Sequence, residues 1–265
     1  MGRDRCARAL AACLLVLATG ALIGCGKDRQ AAPELRVAAA ADLTRAFTEI
    51  AAAYQQETGQ QVKLVFGSTG LLTRQIESGA PFDVFAAANE AYIAELEQQG
   101  RLIPGTQQLY AQGRIVLWTR KDGPPCPATV AALAAPIYAR IAIANPQHAP
   151  YGEAAREALQ SAHLWEALRP RFVYGENVQQ ALQYAASGNA DAAIVALSLA
   201  IGSGGHYVLI PPQAHRPLRQ VMAALASSAH PEAAHRFVAF VNGPRGRPIM
   251  QKYGFLLPGE QTARR

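Results

Sequence analysis

Leu35-Arg36-Val37-Ala38-Ala39-Ala40-Ala41-Asp42-Leu43, continued by Phe47, Ile50 and Tyr54, decides the fold. The first six residues read as a buried strand, and the chain passes from it into a helix without a gap. Leu43, Phe47, Ile50 and Tyr54 recur at steps of four, three and four, which places them on one helical face. Asp42 stands where a helix takes its N-cap, and Gly59 supplies the C-terminal stop. Outward from this unit the pattern repeats. Val62, Leu64 and Phe66 alternate as a strand, Gly67-Ser68-Thr69-Gly70 forms a loop, and a helix runs through Ile76 to Gly79. Phe82-Asp83-Val84-Phe85 is a third strand, followed by Asn89 as cap, a helix with Tyr92, Ile93 and Leu96, and Gly100 as its end. Three strand-loop-helix units in a row predict a parallel sheet covered by helices, the α/β class.

The extended stretch Leu109 to Trp118 begins a second α/β series. Its strand Arg140-Ile141-Ala142-Ile143-Ala144 leads through Asn145-Pro146-Gln147-His148-Ala149-Pro150-Tyr151-Gly152 into a helix containing Ala155 and Leu159. A strand near Phe172-Val173-Tyr174, the loop Gly175-Glu176-Asn177-Val178, a helix to Ala186 and the strand Ala192-Ala193-Ile194-Val195 follow. The chain is extended again from Leu218 to Ala224, and helical segments near His235–Val241 and Ile249–Tyr253 close it. The expected organisation is two α/β lobes joined by two crossovers: residues 35–112 in lobe I, 113–215 in lobe II, 216–258 returning to lobe I, and 259–265 as a tail.

The 265 residues are half apolar and 17% charged, which excludes a disordered chain, a collagen-like repeat and a polytopic membrane protein. The formal charge of +6 comes from 25 Lys and Arg against 19 Asp and Glu. Arg3, Arg5 and Arg8 belong to the extreme N-terminus and the other cations are scattered, so no nucleic-acid partner is expected. Residues 1–24 read as a secretory signal, an apolar run behind three arginines. It ends in Leu22-Ile23-Gly24-Cys25, which resembles the lipoprotein box; Cys25 is then the lipidated first residue, residues 25–34 are a tether, and the protein sits on the periplasmic side of a bacterial envelope. Of the four cysteines Cys126 alone is left, so no intramolecular disulfide forms.

Four loops each follow a strand and precede a helix: Ala41-Asp42, Gly67 to Gly70, Pro150-Tyr151-Gly152 and Asn177-Val178. Each offers free backbone N–H groups at the positive end of a helix dipole, and the Ser68, Thr69 and Tyr151 hydroxyls add neutral donors. Converging from two lobes, such ends suit a small tetrahedral oxyanion without any arginine. Taken singly, each is also an ordinary strand-to-helix turn.

Val37–Thr44, Phe66–Gly70, Arg74–Phe85, Asn145–Gly152 and Lys252-Tyr253-Gly254-Phe255, in this order and spacing, resemble the periplasmic molybdate-binding proteins of ABC importers. The resemblance spans nearly all of the mature chain. It implies a type II periplasmic-binding-protein fold whose interlobe cleft holds molybdate, and also tungstate, by hydrogen bonds alone, with no direct metal ligand and no cofactor. It implies ligand contacts at Asp42, Ser68, Thr69, Tyr151 and the backbone of Val178. The implied partners are a membrane permease with its ATPase and the membrane itself through the N-terminal lipid, for a monomeric protein without catalytic residues.

Two departures from the family pattern bear on the site. The stretch Val195-Ala196-Leu197-Ser198 lacks a tyrosine that some members place on the anion, and the Tyr151 phenol is a substitute. Many members carry a neutral donor at the position of Asp42. A carboxylate about 5 Å from a dianion costs about 6 to 7 kcal/mol at an effective dielectric of about 20. Asp42 therefore turns away to cap its helix, or is protonated and donates, or the ligand is another oxyanion or an organic acid. An envelope hydrolase is the alternative from a different class, but Ser68 lacks G-x-S-x-G spacing and no nucleophile with a base is evident. His230 and His235 read as surface residues, and His148, which follows a strand near Tyr151, as an exposed loop residue or else one that lines the cleft.

Overall fold

The computed structural model describes residues 34–259. The signal, Cys25 and nearly all of the tether lie outside the described residues, as does the tail beyond Gly259. Two five-stranded sheets form the frame, built from β1 (Leu35–Ala40), β2 (Val62–Gly67), β3 (Val84–Ala87), β4 (Gln108–Gly113), β5 (Ile115–Thr119), β6 (Ile141–Ala144), β7 (Phe172–Gly175), β8 (Ala192–Ala196), β9 (His206–Leu209) and β10 (Leu218–Ala224). The first sheet has the order β2-β1-β3-β10-β4 and the second β7-β6-β8-β5-β9. The helices of seven residues or more are α1 (Thr44–Thr58), α2 (Thr69–Glu77), α3 (Glu90–Gln98), α4 (Pro150–Ser161), α5 (Val178–Ala186), α6 (Pro231–Val241) and α7 (Gly246–Lys252).

The three strand-loop-helix units do supply parallel strands, and each sheet as a whole is mixed. In the first, β1, β2 and β3 run parallel and β10 runs against β3 and β4. In the second, β6, β7 and β8 run parallel and β5 runs against β8 and β9. The reversed strand is in each case the one that meets a crossover. The extended stretch 108–119 divides at Arg114, β4 pairing in the first sheet and β5 in the second. The second crossing follows β9 and enters β10.

Central strands β1, β3, β6 and β8 are buried along nearly their whole length because helices cover both faces, which is why they read as continuous apolar runs. Edge strand β2 alternates only weakly and is partly exposed. Helix α1 docks through its predicted stripe, with Tyr54 edge-on to Phe237 and Phe240 of α6 at ring-centroid separations of 5.3 and 5.1 Å. Gly59 ends it in the left-handed conformation (φ 73°), its N–H donated to the Gln55 carbonyl. Among the described residues no helix is long and apolar enough to cross a membrane.

Candidate functional site

The carboxyl ends of β1 and β2 and the loops before α4 and α5 meet where the sheets face each other. Asp42 sits within a 3-10 turn, Ala41–Leu43, between β1 and α1, and makes no capping bond; Ala40 and Leu43 hold the N-cap positions of turn and helix. The N-cap expectation is therefore corrected. The Asp42 side chain is instead fully buried. Its Oδ2 accepts from the Tyr151 hydroxyl at 3.0 Å and from Gln220 Nε2 at 2.7 Å. Gln220 Nε2 also donates to the Tyr151 oxygen at 3.1 Å, while its Oε1 accepts from the Tyr110 hydroxyl at 3.0 Å. That last bond orients the amide with its NH2 toward the carboxyl.

The strand register explains how Tyr110 and Gln220 reach the cluster. Between β10 and β4 the pairing passes from Gln220 opposite Ala111 to Val221 opposite Leu109, so Tyr110 is the extra residue of a bulge. A bulge bends its strand and re-aims the side chain on it. Gly113, at the end of β4, is where backbone passes closest: a Cβ there would run into the Tyr151 hydroxyl and stand 2.9 Å from Gln220 Nε2.

Asp42 Oδ1 has no partner and no solvent. Burial disfavours the charged form and pushes the acid up to about 6, against the opposing pull of donors from Gln220, Tyr151 and its own backbone N–H. Tyr110 and Tyr151 are held well above the ordinary phenol range, chiefly by burial and then by the neighbouring Asp42 charge. Tyr151 has one hydroxyl hydrogen, and it is spent on Asp42. In this arrangement the phenol does not substitute for the tyrosine missing at 195–198.

Around this cluster the lobes interlock. Ser68 Oγ lies 2.7 Å from His148 Nδ1 and donates to the His148 carbonyl at 2.9 Å, an acceptor shared with the Gly70 N–H at 2.9 Å. Thr44 Oγ1 donates to Gln179 Oε1 at 2.8 Å, and Ser198 Oγ donates to the Asp42 carbonyl at 2.7 Å. His148 is thus part of the interlobe seam rather than an exposed loop residue. Burial and the Arg74 charge hold its imidazole below the ordinary value.

These contacts place the starts of α2, α4 and α5 around the 3-10 turn. First-turn N–H groups have no intrahelical acceptor. Ser68 caps α2 by position but not through its side chain, and Ala149 before α4 has no capping group. Asn177 takes the N–H groups of Gln179 and Gln180, sparing that of Val178. The buried Thr69 hydroxyl accepts from the Ala88 N–H at 3.2 Å, which leaves its hydrogen to be donated. The five expected positions are brought to one locality. Sequence reasoning did not find Tyr110, Gln220 or Ser198, although a glutamine within the extended stretch Leu218–Ala224 was a signal.

Neither a metal nor a hydrolase constellation assembles among the described residues. No group of three His, Cys, Asp or Glu is placed to hold a metal ion. Ser68 and His148 do meet, but no carboxylate bonds to the imidazole to orient it as a base. The Cys126 thiol is pushed up by burial and lies 3.6 Å from the Leu117 carbonyl, which suits an inert cysteine.

Comparison with known proteins places this arrangement. Residues 35–256 match the family model described as bacterial extracellular solute-binding protein. The Molybdate-binding protein ModA of Azotobacter vinelandii is 36% identical over 249 residues, 91% of this chain and 96% of the relative. That of Rhodobacter capsulatus is also 36% identical, over 85% of this chain and 89% of its own. The solved periplasmic molybdate-binding protein of Azotobacter vinelandii superposes with a TM-score of 0.80 at 32% identity, covering 84% of this chain and 99% of that one. The fold is accordingly the two-lobed one of periplasmic binding proteins, with the crossovers at Arg114 and ahead of β10, and the chain belongs to the bacterial extracellular solute-binding proteins.

Proposed function

We propose that this protein captures molybdate, and tungstate with it, between its lobes and hands the anion to the permease of an ABC importer. The observation that carries the reading is the meeting of helix starts from both lobes at Ser68-Thr69, Tyr151 and Val178, the first two without a side-chain cap and the third capped by Asn177 so that the Val178 N–H is spared, around a buried Asp42, with no Lys or Arg bonded to any of these side chains among the described residues. Neutral N–H and O–H donors in a site shielded from water hold an oxyanion strongly and fix its geometry. In this reading the contacts are Thr69 through hydroxyl and backbone, Ser68, Tyr151 and Val178 through backbone N–H, the Ser68 hydroxyl being engaged by His148, and Asp42 from beneath. The names of the relatives support the choice of anion. Discrimination against sulfate follows from size, because donors spaced for a larger tetrahedron leave a smaller one imperfectly bonded.

Closure over the anion forms the Ser68–His148 and Thr44–Gln179 seam, which only the closed protein presents to a permease. Lipidation of Cys25, an envelope location facing the periplasm and a monomeric state complete the proposal. Thermal unfolding of the chain begun after Cys25, with molybdate, tungstate, sulfate or phosphate at fixed salt and pH, tests it. Ligand at about 1,000 times its dissociation constant stabilises by about 4 kcal/mol. The expected result is a rise in Tm with molybdate and tungstate alone. No rise with either, from a cooperatively folding sample, removes the anion assignment.

A further inference from the structure

We infer that Asp42 is a specificity-determining group that holds the oxyanion as a carboxylic acid, donating its proton from Oδ1, so that each anion captured takes up one proton from solvent. The inference rests on the oxyanion reading above and deepens it. Its ground is the uneven use of the two carboxyl oxygens. Oδ2 is saturated by Tyr151 and Gln220, and both donors are held in place, one by α4 and the other by the Tyr110 bond. Oδ1 is buried and meets no hydrogen-bond partner from any other residue. An ionised carboxylate needs donors on both oxygens. A neutral acid needs acceptors on one oxygen's hydrogen and donors on the other, which is the pattern present, with the missing acceptor supplied by the anion.

The charges nearby agree. The titratable side chains facing Asp42 are Tyr151 from α4 and Tyr110 from β4. Strand β10 presents Gln220, and Ser198 of the one-turn helix Leu197–Ala200 bonds its carbonyl. α5 adjoins the turn through Gln179, bonded to Thr44. Among the described residues no Lys, Arg or His bonds to the Asp42 carboxyl, so a negative charge there has no cation to balance it, and a dianion beside it raises the cost further. Burial already favours the neutral form. The consequence for selectivity is direct. A protonated Asp42 is a donor and prefers a fully deprotonated oxyanion that only accepts, whereas an ionised Asp42 would accept a hydroxyl from a protonated one such as hydrogen phosphate.

Titration calorimetry of the wild-type protein with molybdate, in buffers of different ionisation enthalpy from pH 5.5 to 8.5, reads the proton directly and needs no variant. Uptake approaching one proton per anion at pH 8 is expected, with Kd rising about tenfold per pH unit across the upper part of the range and flat at its lower end. Asp42→Asn keeps one acceptor oxygen for Tyr151 and Gln220 and replaces the acid's hydrogen by an amide N–H. It is expected to bind with no proton uptake and a flat profile. Binding by the wild type without proton uptake, or a pH profile unchanged in Asp42→Asn, overturns this inference while the oxyanion reading stands. Hydrogen phosphate binding in preference to molybdate at pH 8 overturns it too, since Asp42 would then be an acceptor. Failure of molybdate and tungstate to bind either protein at any pH instead defeats the oxyanion reading itself.

Discussion

At the amino ends of their parallel strands the two lobes are built alike. Asp83, just before β3, accepts the Arg36 N–H at 2.7 Å and donates its own N–H to the Arg36 carbonyl at 2.8 Å. Asp191, just before β8, does the same with Arg140 at 2.8 Å in both directions. The second oxygen of Asp83 is taken by the Ser228 hydroxyl at 2.6 Å. At the carboxyl ends, where the lobes face each other, Asp42 puts two donors on one oxygen and none on the other. Asp42 and Asp83 are comparably buried, at 0% and 5% exposed. The difference lies in how the oxygens are matched. A carboxylate met on each oxygen by main chain and hydroxyl is a clasp between strand ends, and one with an oxygen left over at the meeting of two lobes is open to the ligand role proposed above.

The comparison breaks first if the clasp proves dispensable. Asp83→Ala removes the acceptor of two partly buried, charge-assisted hydrogen bonds, from the Arg36 N–H and the Ser228 hydroxyl, a loss of about 3 kcal/mol in urea unfolding. Anion affinity of the folded fraction should be unchanged, because the clasp is at the far end of the sheet. Asp42 carries an effect of similar size that depends on pH. Its acid is raised from 3.8 to about 6 in the folded protein, so the folded state binds the proton more tightly than the unfolded chain. Stability from this group is fully present below pH 3.8 and is lost as pH rises through about 6, a change of about 3 kcal/mol. Unfolding of wild type and Asp42→Asn without anion, from pH 4 to 8, should show the variant gaining on the wild type by about that amount. A difference constant across the range would mean that folding does not raise the Asp42 acid.

The next test acts on the seam between the lobes. A Cβ at Gly70 would stand 2.8 Å from the His148 carbonyl oxygen and 3.1 Å from its Cβ, neither of which is the far end of a flexible side chain. Gly70→Ala should therefore hinder closure, weakening molybdate binding by about thirtyfold, or about 2 kcal/mol. The unliganded protein can relax by opening, so its Tm should move little. A large fall in Tm with affinity intact would show that the seam belongs to the folded core rather than to capture.

What could be read from the sequence was whatever local chemistry determines. Asn89 and Asn177 cap their helices through side-chain bonds to the N–H groups two or three residues on, and Gly59 ends α1. The positions gathered at the site were legible as strand-to-helix loops, since ligand crevices in open sheets lie beyond the carboxyl ends of strands. Partnerships across the chain were not. Asp42 has the right residue type for a cap, but Tyr151 and Gln220, 109 and 178 positions away, claim its side chain first. Nothing within residues 108–119 marks Arg114 as the point where one extended run leaves one sheet for another. β9 went unread because His206 to Leu209 is an edge strand, and its exposed Tyr207 and Leu209 give no buried stripe.

The smallest effect isolates the orientation of a single amide. The Tyr110 hydroxyl holds Gln220 Oε1 and also lies 3.2 Å from the Ala87 carbonyl, so Tyr110→Phe leaves the ring in place and removes both contacts, among them the bond that turns the amide. The loss in stability should be about 1 kcal/mol. With its oxygen released, Gln220 can flip and accept a hydrogen from a protonated Asp42, a partner that the wild-type geometry denies. The neutral acid of the unliganded protein gains, while the bound one, with its proton on Oδ1, does not, so the pH at which molybdate affinity begins to fall should move upward by a fraction of a unit and affinity at pH 5.5 should drop a few-fold. The same loss of stability with no displacement of that pH would mean that the bulge at Tyr110 fixes Gln220 through the backbone alone, and that the phenol contributes packing rather than the direction of a hydrogen bond.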